Sequence, residues 1–367
     1  MSEAGEPMRL GVLTGGGDAP GLNAVIRGVV KSATQLGWEV LGFERGYEGL
    51  LDPVSYRVLD NESTKGILHL GGTILGTVNR GRFVGKVGEG DVVQIDPSML
   101  SQARETCERL NLRGLICIGG DGSLTIAQQL FESGVPVVGV PKTIDNDLEA
   151  TVQTFGFDSA VAFATEALDR LHPSAAAHER VMVMEVMGRH AGWIAVHAGM
   201  AGGADVILIP EIDWNLEGIV RKIRQREANG RAFSLVVVAE GARWPSGELV
   251  ACGTGEGKLG EIRLGGIGHR LAEEIQALTG KETRCVVLGH LQRGGGPTTF
   301  DRLLATRFGV NAVRLVVEGR FGRMVSFEPP DVLDVPISQA IHRLKLVPPN
   351  GDLVRTARAL GISFGDG

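Results

Sequence analysis

Three short segments place acids, glycines and hydroxyls as a transferable phosphate would need them. They are Gly119-Gly120-Asp121-Gly122-Ser123, Pro141-Lys142-Thr143-Ile144-Asp145-Asn146-Asp147 and Met187-Gly188-Arg189-His190-Ala191-Gly192. Each follows an apolar run that reads as a buried strand, namely 115–118, 135–140 and 181–186. Ligands in open α/β sheets sit just past the carboxyl ends of such strands. Glycines there let backbone N–H groups approach phosphate oxygens, and carboxylates can hold Mg²⁺ or take a proton. Three such segments with complementary chemistry point to phosphoryl transfer.

Plainer readings compete at each segment. Gly15–Gly21, after an apolar run from Met8 to Thr14, has neither the P-loop spacing nor G-x-G-x-x-G. A phosphate cradle and an ordinary strand-to-helix turn fit it equally. Asp121 suits a nucleotide phosphate with its Mg²⁺, or else a helix cap. Asp145 and Asp147, two residues apart, suit a base toward a hydroxyl and a group near the metal, while Asn and Asp also favour plain turns. Lys142 and Thr143 could meet phosphoryl oxygens. Downstream, Arg180, Arg189, Arg284, His290 and Arg293 flank strand ends or glycine loops, and arginine suits bidentate phosphate binding. Glu240, closing the run Leu235–Ala239, could accept hydrogen bonds from a polyol or serve as a cap.

The elements that must position these groups follow from periodicity. Leu22, Val25, Ile26, Val29, Val30, Ala33 and Leu36 recur at helical spacing before Gly37 stops the helix. Helices at 98–110, 123–132 and 158–171 precede strands at 113–118, 135–140 and 180–186. Further strands are expected at 38–43, 204–209, 233–239 and 284–289, with helices near 215–228 and 266–278. Such alternation indicates an α/β fold with mostly parallel sheets flanked by helices, here in two lobes. The segment 242–264 has neither period and reads as an inserted loop or hairpin, and the ending 361–367 is too short to interpret.

Composition narrows the function class. Of 367 residues, 54 are glycine, about twice the usual usage of roughly 7%, which implies many tight turns and close backbone approaches. A net charge of −6 argues against a nucleic-acid partner. The four cysteines form no C-x-x-C pair; Cys117 and Cys285 sit in apolar runs as expected buried thiols, consistent with a reducing cytoplasm. The polar, acidic start does not read as a signal peptide, and no apolar stretch approaches the ~20 residues of a membrane span.

Taken together, Gly16-Gly17-Asp18-Ala19-Pro20-Gly21-Leu22-Asn23, Gly119–Ser123, Thr143–Asp147, Met187-Gly188-Arg189 and Leu288-Gly289-His290-Leu291-Gln292-Arg293-Gly294-Gly295 resemble the signature series of the bacterial-type 6-phosphofructokinases, in order and over nearly the whole chain. The resemblance implies a phosphofructokinase-like fold. It also implies a donor lobe of 1–156 plus about 292–342, and a sugar-phosphate lobe of 157–291 plus about 343–367. It implies ATP and fructose 6-phosphate as substrates, Mg²⁺ as cofactor, and a homotetramer, at least a dimer. Gly16, Tyr47, Arg80, Gly120, Asp121, Gly122 and Ser123 would serve the donor, Asp121 holding the metal with Asp147 as second candidate. Asp145 would be the base toward the 1-hydroxyl, with Thr143, Asp147 and Arg189 on the moving phosphoryl group. Ile144, Met187, Gly188, Glu240, Leu291 and Gln292 would complete the sugar site. His290 and Arg293 would take the 6-phosphate, joined by Arg180 and Arg284 from a neighbouring subunit.

Three departures qualify that match. Arg80 comes one residue later than the family's arginine after Gly-Gly-Thr-x-Leu-Gly. Gly122 is the residue of ATP users, whereas Lys142 is that of diphosphate users; the combination resembles a mixed subgroup, common in actinobacteria, in which the glycine goes with ATP. At the family's effector site Arg27, Lys31 and Arg231 could stand in for some basic residues, but His172 and Asn229 replace others, so strong control by ADP or phosphoenolpyruvate is not expected. A diphosphate-dependent enzyme is the nearest alternative. NAD or lipid kinases lack the His290–Arg293 loop, and a silent nucleotide-binding regulatory subunit would have no need of Asp145.

Overall fold

A computed structural model of the chain describes residues 7–78, 81–87, 91–251 and 264–367. The chain divides into two compact units: 1–144 with 148–158 and 293–343, and 145–147 with 159–292 and 344–367.

The first unit is built on one twisted sheet in the order Asp331–Pro336, Arg323–Glu328, Val137–Thr143, Leu112–Gly119, Arg9–Thr14, Glu39–Phe43, Tyr56–Leu59, with Phe155–Gly156 beside Val137–Thr143. Inner pairings are parallel, while Tyr56–Leu59 and Asp331–Pro336 run antiparallel at the two edges. Alternation along the strands sorts the core onto two faces. Leu10, Val12, Ile116, Ile118, Val138 and Val140 pack under helices Leu22–Gln35 and Thr299–Val317. Leu13, Leu115, Cys117 and Val137 pack under Pro97–Arg109 and Asp121–Glu132. The first helix pair is drawn together by glycine: a Cβ on Gly309 would lie 2.5 Å from the Val25 carbonyl oxygen, and one on Gly28 2.8 Å from that of Thr306.

The second unit has a four-stranded parallel sheet, Val206–Leu208, Ser234–Ala239, Val181–Val186, Thr283–Val287. Helices Leu216–Ala228 and Ile267–Thr279 cover one face through Ile219, Ile223, Leu271 and Ile275, and Trp214 meets Trp244 edge to face. The ending, uninterpretable from sequence, has a place here: Ser363 bridges to Val206 at the sheet edge.

Most expected elements are present within a residue or two, and the differences have physical causes. Helix Phe157–His178 runs beyond the expected 171, through Pro173, because Ala175 is buried with Met182 and Leu235 and this packing holds the last turns. Strand Val137–Thr143 extends past 140 because Lys142 and Thr143 pair with Phe155 and Gly156, so both side chains belong to a strand end and not to the following loop. Of the segment 242–264, residues 252–263 lie outside the described residues; Ala251 and Leu264 pair antiparallel at its neck, as a hairpin would. Cys107 and Cys117 are free, buried thiols, and Cys285 is free but only half-buried; burial pushes all three up to about 12. Cys252 lies outside the described residues. Among the described residues no helix is long and apolar enough to cross a membrane.

Candidate active site

In the first unit, strands Arg9–Thr14, Leu112–Gly119 and Val137–Thr143 are parallel neighbours, so the loops after Thr14 and Gly119 and the Thr143 end share one sheet edge. Ser123 nests among the glycines there. A Cβ on Gly15 would sit 2.7 Å from its Oγ and one on Gly16 3.1 Å, and Gly16 has φ of 74°, a region that favours glycine. Bulkier residues would push the loop off the first turn of helix Asp121–Glu132, where N–H groups and the helix dipole favour an anion. Nothing lies within 4 Å of a Cβ at Gly122.

Charged groups gather on this edge. The buried Lys142 ammonium donates to the Gly17 carbonyl, and Arg293 Nη1 donates to the Asp18 carbonyl at 3.1 Å. The Asp121 carboxylate is already matched to a cation, the Lys86 ammonium at 2.7 Å, which also reaches the Ile341 carbonyl at 3.3 Å. Asp121 is therefore chemically suited to hold a metal ion, and Lys86 is a residue the sequence reading missed, since no periodicity marks its segment. Tyr47 is buried behind the turn; its hydroxyl donates to the Ser123 carbonyl at 2.6 Å, and burial raises its phenol well above the usual range, so it remains a donor. Asn23, buried, donates to the Leu70 and Gly71 carbonyls and accepts from the Ile74 N–H, which fixes the loop approaching Thr77. Thr77 in turn donates to the Gly16 carbonyl at 2.5 Å. Gly120 is half-buried at the cap of the helix, Thr143 has its carbonyl bound by Thr154 Oγ1 at 2.8 Å, and Ile144 is fully buried. Arg80 lies outside the described residues.

The second unit includes Asp145–Asp147, which follow Ile144 in the chain. Asp145 and Asp147 are half-buried around the buried Asn146, whose φ of 52° is left-handed. Strand Val181–Val186 runs into Met187 and Gly188, both buried, and then Arg189. Gly188, with φ of 136°, permits the turn. The Glu240-Gly241 turn lies against it: the Gly241 N–H donates to the Gly188 carbonyl at 3.1 Å, which brings Glu240 beside Arg189 in the backbone. Gln292, 1% exposed, accepts from the Met187 N–H at 2.7 Å through Oε1 and so ties the His290 turn to the same loop. His290 and Leu291 are exposed. His290 belongs to this unit and Arg293 to the other.

Arg180 and Arg284 stand apart from that group. They lie at the amino ends of strands whose carboxyl ends carry Met187 and His290, and both pair with Glu282, Arg180 at 2.8 Å and Arg284 at 2.5 Å. A strand of six residues spans about 20 Å, so within one chain they do not join the Met187–Arg189 loop. The two residues that depart from the family's effector-site pattern have structural engagements: the His172 ring packs on Phe233 at 4.9 Å, and Asn229 caps helix Leu216–Ala228.

Comparison with known proteins is consistent with this arrangement. The family described as Phosphofructokinase matches residues 9–316. A protein of Chloroflexus aggregans named ATP-dependent 6-phosphofructokinase is 55% identical over 99% of both chains. One of Amycolatopsis mediterranei named pyrophosphate–fructose 6-phosphate 1-phosphotransferase is 50% identical over 93% of this chain and 96% of its own length. Among solved structures, Pichia pastoris phosphofructokinase in the T-state superposes with a TM-score of 0.79 at 29% identity, over 93% of this chain but 36% of that longer one. Motif series, sheet edge and full-length similarity agree, and the chain belongs to the bacterial-type phosphofructokinase family.

Proposed function

We propose that this chain is an ATP-dependent 6-phosphofructokinase, moving the γ-phosphoryl of ATP to the 1-hydroxyl of fructose 6-phosphate to give fructose 1,6-bisphosphate and ADP. The observation that carries the reading is the gathering of Gly15–Asp18, Gly120–Ser123 and Thr143 on one sheet edge, with a helix N-terminus and two cations, in a chain whose relatives over its full length bear that name. Catalysis of phosphoryl transfer is mostly positioning and charge stabilisation, which suits such a set.

In this reading Gly16, Gly120, Gly122 and Ser123 offer backbone to the donor phosphates, Tyr47 supports the turn from behind, and Lys142 and Arg80 add charge. Asp145 takes the proton of the 1-hydroxyl, while Thr143, Asp147 and Arg189 orient and neutralise the phosphoryl group. Ile144, Met187, Gly188, Glu240, Leu291 and Gln292 shape the sugar site, and His290 and Arg293 take the 6-phosphate. Asp121 would hold Mg²⁺, with Asp147 as second candidate; when bound, the ion neutralises phosphate charge. Among the described residues no three or more His, Cys, Asp or Glu side chains gather as a cage, which suits an ion held largely by donor phosphates. The free cysteines suit a reducing cytoplasm.

Donor choice rests on Gly122, because a relative named for pyrophosphate, at 50% identity, stands beside one named for ATP at 55%. A coupled assay with fructose 6-phosphate, run in parallel with ATP and with diphosphate, tests the function. Turnover with ATP is expected, and none with either donor would overturn the reading.

The distal place of Arg180 and Arg284 supports an oligomer in which they complete a neighbour's sugar site, with the tetramer of the resemblance as the expected form. Mixing Arg284→Ala subunits with Asp145→Asn subunits is then expected to restore part of the activity that each lacks alone, because one hybrid site receives both intact groups. A fully active monomer of 38.9 kDa by light scattering at assay concentration would exclude this.

A further inference from the structure

We propose that Lys345, on the C-terminal segment, is a positioning residue that aims the Asp145–Asp147 acids at the sugar through Asn146; the proposal rests on the phosphoryl-transfer reading above. Lys345 grips the acid loop twice. Its ammonium donates to Asn146 Oδ1 at 2.9 Å, and its backbone N–H donates to the Asp147 carbonyl at 2.8 Å. The first grip falls on the residue that turns the loop. Asn146 is left-handed, a conformation that Asn tolerates better than most residues but that still needs support. The path of the chain from Asp145 to Asp147 depends on that one φ.

The same residue holds the sugar loop. The Lys345 carbonyl accepts from Trp193 Nε1 at 2.8 Å, and its ammonium lies 5.8 Å from the Trp193 ring centroid. Trp193 is the first residue of the helix that follows Met187–Gly192. Two residues on, the Val347 N–H donates to Glu211 Oε1 at 2.8 Å, and the same carboxylate accepts from the Gly192 N–H at 3.0 Å. The strap 345–347 thus binds the acid loop and the Gly192–Trp193 end of the sugar loop into one frame, all within the second unit. The bonds named go to backbone, to Asn146 and Trp193 and to the Glu211 carboxylate, and none to the acids' own carboxylates, so the strap sets the relative position of the acids and the sugar loop.

That placement separates its effect from a binding effect. Removing the Lys345 ammonium leaves the strap's backbone bonds to Trp193 and Glu211, and with them the sugar loop, in place but frees Asn146 and lets the acids drift, and a misplacement of about 1 Å can cost ~10²-fold in rate. Lys345→Met keeps the chain length and apolar stem while removing the donor. It is expected to lower kcat by about 10–100-fold with KM for fructose 6-phosphate within about threefold, and with the Kd for fructose 6-phosphate by calorimetry likewise unchanged. Asn146→Gly keeps the left-handed turn accessible and removes the acceptor, and is expected to match it. Because both act through one bond, the double variant should be no slower than the slower single, whereas independent effects multiply. A kcat within about threefold of wild type for Lys345→Met, a rise confined to KM, or multiplying effects in the double variant each overturn the proposal. If Lys345→Met does not fold, Asn146→Gly carries the test by the same kcat and KM criteria. Failure of the underlying function shows in the wild-type protein, as absence of turnover, and is read separately from these ratios.

Discussion

Asparagine at position 145 is expected to lower kcat by about 10²–10⁴-fold, with KM for fructose 6-phosphate within about threefold of wild type. The substitution preserves shape and hydrogen-bonding capacity and removes basicity alone. Loop geometry should survive it, since the bonds that hold the loop go from Lys345 to Asn146 and to the Asp147 backbone and do not use the Asp145 side chain. Asp145 is also only half-buried, and asparagine fills nearly the same volume, so the exchange leaves no cavity. The loss should therefore appear with an unchanged thermal melt. Steady-state kinetics with a coupled aldolase assay measure it. An asparagine variant within about threefold of wild-type kcat would remove Asp145 as the base and leave positioning of the phosphoryl group as its only role. The expected drop exceeds that for Lys345→Met, because one change removes the base and the other only displaces it.

How far the sequence carries such an argument depends on where the information sits. Glycine-rich junctions after apolar runs announce themselves locally, so the strand ends at Thr14, Gly119 and Val186 were legible, and the mostly parallel character of the sheets followed from alternation. Helix Trp193–Ala201 was not, because it is apolar nearly all round and buried, with no amphipathic period to read. Helix Thr299–Val317 hides differently: Phe300, Leu303, Val310 and Val317 leave apolar side chains on its exposed face and blur the stripe that packs beneath it. The extension of strand Val137–Thr143 through Pro141 and Lys142 looks unlike a strand until Phe155–Gly156 supplies a partner. Lys86 and Lys345 were invisible in principle. Each meets its acid or amide across 35 and 199 positions of chain, a distance over which composition and spacing say nothing. What sequence patterns specify is the chemistry at strand ends; the residues that aim that chemistry come from tertiary contacts.

Aspartate at position 122 is expected to depress kcat/KM for ATP by about 10²–10³-fold while leaving the fold intact. The fold has room: nothing lies within 4 Å of a Cβ there, and the site is in the first turn of helix Asp121–Glu132, where an acid is favourable to the dipole. The cost must then fall on the donor. A second carboxylate beside Asp121 would meet nucleotide phosphate charge, and two like charges about 4 Å apart near a protein surface repel by roughly 4 kcal/mol, about three decades before screening by the metal and neighbouring cations. Its bulk acts in the same direction. Lys142 cannot decide the matter by itself. Its buried ammonium on the Gly17 carbonyl lends positive charge to the donor loop, and that charge serves ATP and diphosphate alike, whereas crowding at position 122 acts only on the donor that carries an adenosine. Parallel assays of wild type and Gly122→Asp with both donors, at saturating sugar phosphate and Mg²⁺, distinguish the two residues. Wild-type protein turning over faster with diphosphate than with ATP would make Lys142 the residue that sets the donor, and an aspartate variant that still uses ATP at close to the wild-type rate would place the nucleotide away from Gly122.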